Sequence, residues 1–278
     1  MKKKISAILL VVLLVMPVLS ACVNRQNDSN DRDNNGEIIT ADNLETTLEL
    51  HHIGQKTGKY TGEMKDDLPN GKGSFETQTE YGNTVIYDGE WVNGQLEGLC
   101  TVTWPGDKVM SVEGTFVDSE IVNGKEIYDG VKIYEGEWKD LAHHGQGTFY
   151  NAAGDVVYSG TFNDGYPGDE DKFMAGAKEV SYDALLSDPQ HYMYDIIKVQ
   201  GKIVYVWEDE DYCEYLISTD ESDEKTVYIT YFRRSDDERH IQEGESLTVY
   251  GISEGLYTYE TTEDTLATTP NMTMFFYE

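Results

Sequence analysis

From Tyr60 onward, apolar residues fall on alternate positions. In Tyr134-Glu135-Gly136-Glu137-Trp138 the period is two. On an extended chain Tyr134, Gly136 and Trp138 share one face, and Glu135 and Glu137 share the other. Gly145-Gln146-Gly147-Thr148-Phe149 then alternates back, so the segment predicts a β-hairpin. Asn70-Gly71, Asn93-Gly94 and Asp164-Gly165 supply the turn chemistry for such hairpins. The phrase recurs as Tyr60-Thr61-Gly62-Glu63-Met64, Tyr87-Asp88-Gly89-Glu90-Trp91, Val112-Glu113-Gly114-Thr115-Phe116 and Tyr158-Ser159-Gly160-Thr161-Phe162. The central glycines, 62, 89, 114, 136 and 160, lie 27, 25, 22 and 24 residues apart, which identifies an internal repeat. One hairpin is marginal in water, but stacked copies bury a continuous aromatic ladder. The glycine between two aromatics leaves room for a neighbouring ring. This domain is expected over residues 55–168.

After Gly165-Tyr166-Pro167-Gly168 the pattern changes and glycines thin out. Ser181 to Pro189 predicts a short helix, capped by Ser181 and stopped by Pro189. Five strand-like runs follow: Ile196–Trp207, Tyr212–Thr219, Thr226–Phe232, Ser246–Ile252 continuing to Tyr259, and Asn271–Tyr277. Alternation is clear in Lys202-Ile203-Val204-Tyr205-Val206-Trp207 and in Thr226-Val227-Tyr228-Ile229-Thr230-Tyr231. Five strands in so short a segment predict a small closed or half-open barrel over residues 176–278. The expected fold class is therefore all-β, an elongated antiparallel sheet of hairpins followed by a small barrel.

The start of the chain has a different pattern. Met1-Lys2-Lys3-Lys4 is basic, Ile5 to Val18 is almost wholly apolar, and Leu19-Ser20-Ala21-Cys22 follows. The apolar run has signal-peptide length and is shorter than the roughly 20 residues that span a bilayer comfortably. Residues 1–21 are thus expected to be a signal peptide. Leu19-Ser20-Ala21-Cys22 resembles the bacterial lipobox. That resemblance implies diacylglycerol on the Cys22 thiol, cleavage before Cys22, and a lipid anchor on the extracytoplasmic face of the bacterial cell membrane. Residues 22–54 begin polar and rich in Asn and Asp, too poor in apolar surface to order themselves, and are expected to be a disordered tether. Ala41 to His52 is expected to form a short helix. Within the tether, Asp31, Asp33 and Asn35, with Gly36 and Asp42 at the twelfth place, resemble an EF-hand calcium loop. The twelfth residue is shorter than the usual Glu, and no helix precedes Asp31. Calcium site and plain linker both remain open for this stretch.

Tyr-x-Gly-x-Trp followed by Gly-x-Gly-x-Phe resembles the MORN repeat, over about Tyr60 to Pro167. The third copy departs, with Val112 for Tyr and with Ile127 and Tyr128 where Gly-x-Phe would end, and irregular packing is expected there. The resemblance implies a single-layer antiparallel sheet that serves as a non-catalytic binding or spacing surface, linked in the family to membrane or protein attachment. Val199-Gln200-Gly201-Lys202-Ile203-Val204, Glu243-Gly244-Glu245-Ser246-Leu247-Thr248-Val249-Tyr250-Gly251 and Gly255-Leu256-Tyr257-Thr258-Tyr259-Glu260 resemble OB-fold domains of small exported lipoproteins from Gram-positive bacteria.

Charge narrows the partners. The formal net charge is −31, and it becomes −34 once the segment carrying Lys2, Lys3 and Lys4 is removed. From Gly176 to Glu278 there are 23 acidic against 7 basic residues. Such a surface repels nucleic acid and anionic headgroups, so no nucleic-acid partner is expected even from an OB-like barrel. Arg233, Arg234 and Arg239 read as charge balance to Asp236, Asp237 and Glu238. Cys100 and Cys213 fit two buried thiols better than a bridge, though spacing alone settles neither.

Tyr87, Trp91, Tyr134 and Trp138 have two readings: core of the repeat, or an open ladder that stacks on a polymer such as a glycan. His143-His144 reads as a polar pair in a hairpin turn. No metal-protease motif is present, Ser222-Asp223-Glu224-Lys225 lacks the Lys-Thr-Gly that would accompany it, and the glycines follow the hairpin period rather than a phosphate loop. The sequence therefore predicts no enzyme, no cofactor and no resident metal. It predicts a membrane-anchored binding or scaffolding module of the cell envelope, with an envelope protein or cell-wall polymer as partner. The alternative is a solute- or calcium-binding surface lipoprotein.

Overall fold

A computed structural model describes residues 37–79, 81–209, 212–235, 238–260 and 265–278. The signal segment, Cys22, Asp31, Asp33 and Asn35 lie outside the described residues. No helix among those described is long and apolar enough to cross a membrane.

Eleven strands follow one another as β1 (Ile39–Leu50), β2 (Gly54–Lys65), β3 (Leu68–Gln78), β4 (Thr84–Val92), β5 (Gln95–Trp104), β6 (Met110–Val117), β7 (Glu120–Tyr128), β8 (Val131–Lys139), β9 (Ala142–Tyr150), β10 (Val156–Asn163) and β11 (Tyr166–Pro167). They pair in chain order as one sheet of hairpins. Helix α1 (Glu170–Ala175), β12 (Lys178–Glu179) and α2 (Tyr182–Ser187) lead to β13 (Ile196–Glu208), β14 (Tyr212–Ser218), β15 (Thr226–Phe232), β16 (Ser246–Glu260) and β17 (Leu266–Tyr277). The last five strands close as β13-β14-β15-β17-β16, with β16 pairing back onto β13. All their pairings are antiparallel except β15 with β17. The molecule is thus nearly all β, hairpin sheet then closed five-stranded barrel, as its periodicity predicts.

Compactness divides the chain into two units: residues up to Gly130 with Glu135–Gly145, and Val131–Tyr134 with Gln146–Glu278. In the first unit the repeat motif has a direct steric meaning. Tyr60 and Phe75 are cross-strand partners, and the Tyr60 ring lies over Gly73, where an added Cβ would stand 2.1 Å from the Tyr60 hydroxyl. That hydroxyl donates to the Glu63 carbonyl at 2.9 Å. The Trp91 Nε1–H donates to the Gly73 carbonyl at 3.0 Å. At Gly73 the ring that needs the glycine therefore comes from across the hairpin, whereas at Gly160 it is the flanking Tyr158. The cross-hairpin arrangement recurs in the second unit, where the Tyr134 ring covers Gly147.

Two segments depart from expectation. Ile39–Leu50 is a strand, neither tether nor helix. Its Leu48 and Leu50 are 2% and 1% exposed, and the hairpin with β2 is in register from Leu44–Tyr60 to Leu50–Gly54. Leu44 to Leu48 is a helical spacing, but Thr46 and Thr47 favour a strand, and pairing with β2 brings Leu48 and Leu50 into the core. The third repeat is also not irregular. Strands β6 and β7 pair from Met110–Tyr128 to Val117–Glu120, with one register shift at Thr115/Phe116. Equivalent shifts occur at Gly62/Met64 and Asp88/Glu90 in the regular copies. Val112, Phe116 and Ile121 fill the core there.

In the second unit the last hairpins and the barrel share one aromatic cluster. Phe149 meets Phe162 at 4.8 Å and Phe275 at 6.0 Å, and Phe173 of α1 meets Tyr158 and Phe275. Asp169 caps α1 by accepting from the Lys172 backbone N–H, and Ser181 caps α2 by accepting from that of Ala184. The barrel interior is Ile197, Val199, Ile203, Cys213, Tyr215, Ile217, Val227, Ile229, Tyr231, Leu247, Val249, Met272 and Met274. Cys100 and Cys213 are buried and unbridged.

Candidate functional site

Period two in the barrel strands sends Cys213, Tyr215 and Ile217 of β14 inward, and hence Tyr212, Glu214 and Leu216 outward. On β15 the outward set is Tyr228, Thr230 and Phe232, and on β17 it is Asn271 and Thr273. Register places Glu214 beside Thr230, and Thr230 beside Thr273. The Thr230 and Thr273 hydroxyls are 3.0 Å apart. The Thr273 hydroxyl donates to Glu254 Oε1 at 2.8 Å, and Asn271 Nδ2 donates to Glu254 Oε2 at 3.1 Å.

Outward residues of a barrel are ordinarily wet, yet here Glu214 is 5%, Tyr228 6%, Thr273 3% and Asn271 7% exposed. Rings cover them. Tyr257 lies 4.4 Å from Tyr228, centroid to centroid, and Tyr257 and Tyr259 stack with 13° between planes. On the other side Tyr212 bridges Trp207 at 6.0 Å and Phe232 at 5.1 Å. Trp207 and Tyr205 are 39% and 41% exposed, so this side offers ring surface to solvent.

Glu214 anchors the arrangement. The Tyr212 hydroxyl donates to its Oε1 at 3.1 Å, and the Tyr228 hydroxyl is a second partner. Burial first, then the Glu214 charge, pushes both phenols far above the usual tyrosine range. They stay protonated and act as donors throughout the physiological range. Tyr257 is raised in the same way, by burial before Glu214. Asn271 Oδ1 is a buried acceptor without a protein donor. The face therefore combines fixed ring planes with carboxylates and one acceptor buried beneath them.

The aromatics singled out in the repeats lie elsewhere. Tyr87, Trp91, Tyr134 and Trp138 are 6%, 1%, 0% and 8% exposed. Trp91 meets Tyr60 edge-on at 5.8 Å, and Tyr134 meets Phe162 edge-on at 5.2 Å. Their rings are core and do not form an open ladder for a polymer to stack on. His143 and His144 begin β9 rather than occupying the turn. The His143 ring lies 4.6 Å from Trp138, and its Nε2 is 2.9 Å from the buried Glu126 carboxylate. Asp42 is an exposed residue of β1. Of the arginine group, Arg233 lies 3.5 Å from Glu208 and Arg239 2.7 Å from Glu245; Asp236 and Asp237 lie outside the described residues. The Arg234 backbone N–H donates to Glu238.

Sequence reasoning passed over Tyr212, Glu214, Tyr228, Tyr257 and Tyr259. The available signal was a carboxylate on β14 two residues after Tyr212, together with the alternating Tyr257-Thr258-Tyr259 of β16.

Three stretches match the family model of the MORN repeat: residues 60–78, 87–107 and 134–156. The chain carries MORN repeats there, and such repeats are generally non-catalytic binding modules. The hairpins led by Val112 and Tyr158 lie outside these matches. No curated protein matches the chain significantly.

Proposed function

We propose that this chain is a lipid-anchored lipoprotein on the extracytoplasmic face of a bacterial membrane, acting as a non-catalytic binding module of the cell envelope. The repeats serve as a spacer. The barrel presents the face around Glu214 to a cell-wall glycan. The observation that carries the reading is the placement of aromatic side chains. Those of the repeats are consumed as core, whereas Tyr205, Trp207, Tyr212, Tyr257 and Tyr259 border a carboxylate-rich face with exposed ring surface. Exposed rings such as Trp207 and Tyr205 accept the apolar face of a sugar.

Strand order β13-β14-β15-β17-β16 with a parallel β15–β17 pair supports reading the barrel as an OB fold. OB folds bind oligonucleotides or oligosaccharides over their second and third strands. With 23 acidic against 7 basic residues after Gly176, phosphate-bearing strands are repelled, and a glycan is the class that remains. The basic start, apolar run and Leu19-Ser20-Ala21-Cys22 support the anchor.

The test is co-sedimentation of the full chain with purified cell-wall polysaccharide. Binding that falls at least tenfold in both Trp207→Ala and Tyr257→Ala, while circular dichroism stays unchanged, is the expected result. Absence of binding, or binding indifferent to both substitutions, overturns the glycan reading. Capture of an envelope protein by the same face, lost in the same variants, would instead make the partner a protein.

A further inference from the structure

The tip of the first hairpin is held against the repeat sheet by groups far away in sequence. The His51 backbone N–H donates to Gln95 Oε1 at 2.9 Å, and Gln95 Nε2 donates to the Glu49 carbonyl at 2.7 Å. His51 Nδ1 and Asp118 Oδ2 are 2.6 Å apart, a closed pair. The neighbouring histidine is different. His52 Nε2 stands 3.7 Å from Glu120 Oε2, too far for a hydrogen bond. A carboxylate oxygen of Asp140 completes a group whose ligand atoms all lie within 4.8 Å of one another. Two ligands held at 2.0–2.1 Å by a tetrahedral ion stand about 3.4 Å apart, so closure needs only small side-chain rotations.

Each residue is fixed by its backbone. His52 and Asp140 occupy left-handed turn positions, with φ of 63° and 50°, and Glu120 follows the left-handed pair Asp118-Ser119. The Asp140 backbone N–H donates to Glu120 Oε1 at 2.8 Å. That bond orients the carboxylate and leaves Oε2 facing His52. A hydrogen bond that fixes one oxygen of a ligating carboxylate is the kind of support metal sites use. Three turns, β1–β2, β6–β7 and β8–β9, thus deliver one imidazole and two carboxylates to one point. Lys139 Nζ, 4.0 Å from Asp140 Oδ2, is a competing cation with an exposed side chain.

We propose that His52, Glu120 and Asp140 bind a first-row transition-metal ion, zinc being the natural probe, with water in the fourth position. A nitrogen with two carboxylates suits zinc, whereas calcium takes oxygen ligands only. The bound ion clasps the first hairpin to the repeat sheet. It would make the rigidity of the spacer depend on metal supply, independently of what the barrel binds.

Isothermal titration of the full chain with zinc chloride, paired with thermal melts, tests this. One zinc per chain and a raised Tm are expected, with affinity at least tenfold weaker in both His52→Ala and Asp140→Asn. His191→Ala, in the second unit, is expected to bind as the parent does. Asp140→Asn keeps the turn geometry and its backbone donor, so it reports on ligation even if the histidine variant folds poorly. No zinc-dependent heat, or an unchanged response in both variants, overturns the proposal. An equal response to calcium lost in the same variants overturns the choice of metal.

Discussion

A methyl group on Gly73 would stand 2.1 Å from the Tyr60 hydroxyl and 2.4 Å from its Cζ, and Tyr60 is fully buried. The ring cannot yield, so Gly73→Ala is expected to cost about 3 kcal/mol, at the upper end of overpacking effects. Gly154 is the control, since its φ is +86° and nothing lies within 4 Å. There Ala pays only the left-handed backbone penalty of about 1–2 kcal/mol. Urea unfolding of the two variants checks the order, and a larger loss at Gly154 would refute the ring-over-glycine account. Tyr87 makes a second prediction. Burial holds its phenol at about 12, against an ordinary value of 10.0. The folded value lies above the unfolded one, so its contribution is complete below pH 10 and is lost as pH rises toward 12. Tyr87→Phe should match the parent at pH 8 and be about 1 kcal/mol more stable at pH 11, the slope per group being about 1.4 kcal/mol per pH unit. Equal stabilities at both pH values would refute it.

Among the elements, the first hairpin depends most on distant partners. Ser119 is fully buried. Its hydroxyl accepts from the Leu96 backbone N–H at 3.0 Å and donates to Gln95 Oε1 at 2.8 Å. Ser119→Ala takes the acceptor from the Leu96 N–H and leaves Gln95 Oε1 with the His51 N–H alone; it is expected to cost about 1–3 kcal/mol and to speed amide exchange at Leu96 and His51 before the rest of the sheet. Uniform exchange changes across all hairpins would show that Ser119 does not latch the tip. Elements differ in how legible they are for the same reason. The repeat hairpins could be read because Tyr60, Gly73 and Trp91 meet through one local motif copied along the chain. Strand β1 could not. Its alternation is broken by the shift between Ala41 and Leu44, and its support comes from Gln95, Asp118 and Ser119. The five barrel strands were legible from period two, but their binding face was not. Glu214 is one of 52 acidic residues, and only the pairing of β17 with both β15 and β16 brings Tyr257 over Tyr228. Helix α1 carries a cap and first-turn acids, Asp169-Glu170-Asp171, but six residues between two glycines are too short to show a helical period.

At the scale of the whole molecule, charge and anchor make separable predictions. The chain carries −31 with a pI near 4.3, so at low ionic strength its surface repels itself and any anionic bilayer. Raising salt from 10 to 150 mM shortens the screening length from about 30 Å to about 8 Å. The melting temperature is therefore expected to rise over that range, where a fold held by surface ion pairs would lose stability. The same repulsion gives the proposed anchor a clean test. If lipid on Cys22 is the only attachment, Cys22→Ala moves the chain wholly from the membrane fraction to the soluble one. The release should be most complete at low salt, because nothing on an acidic folded body compensates for the missing acyl chains. A basic peripheral protein behaves oppositely, clinging more tightly as salt falls. Retention of Cys22→Ala at 10 mM salt would place the attachment in the folded part and remove the argument from the leader. Release combined with lost glycan binding in cells, but intact glycan binding in solution, would show that the anchor acts by concentrating the barrel near its partner.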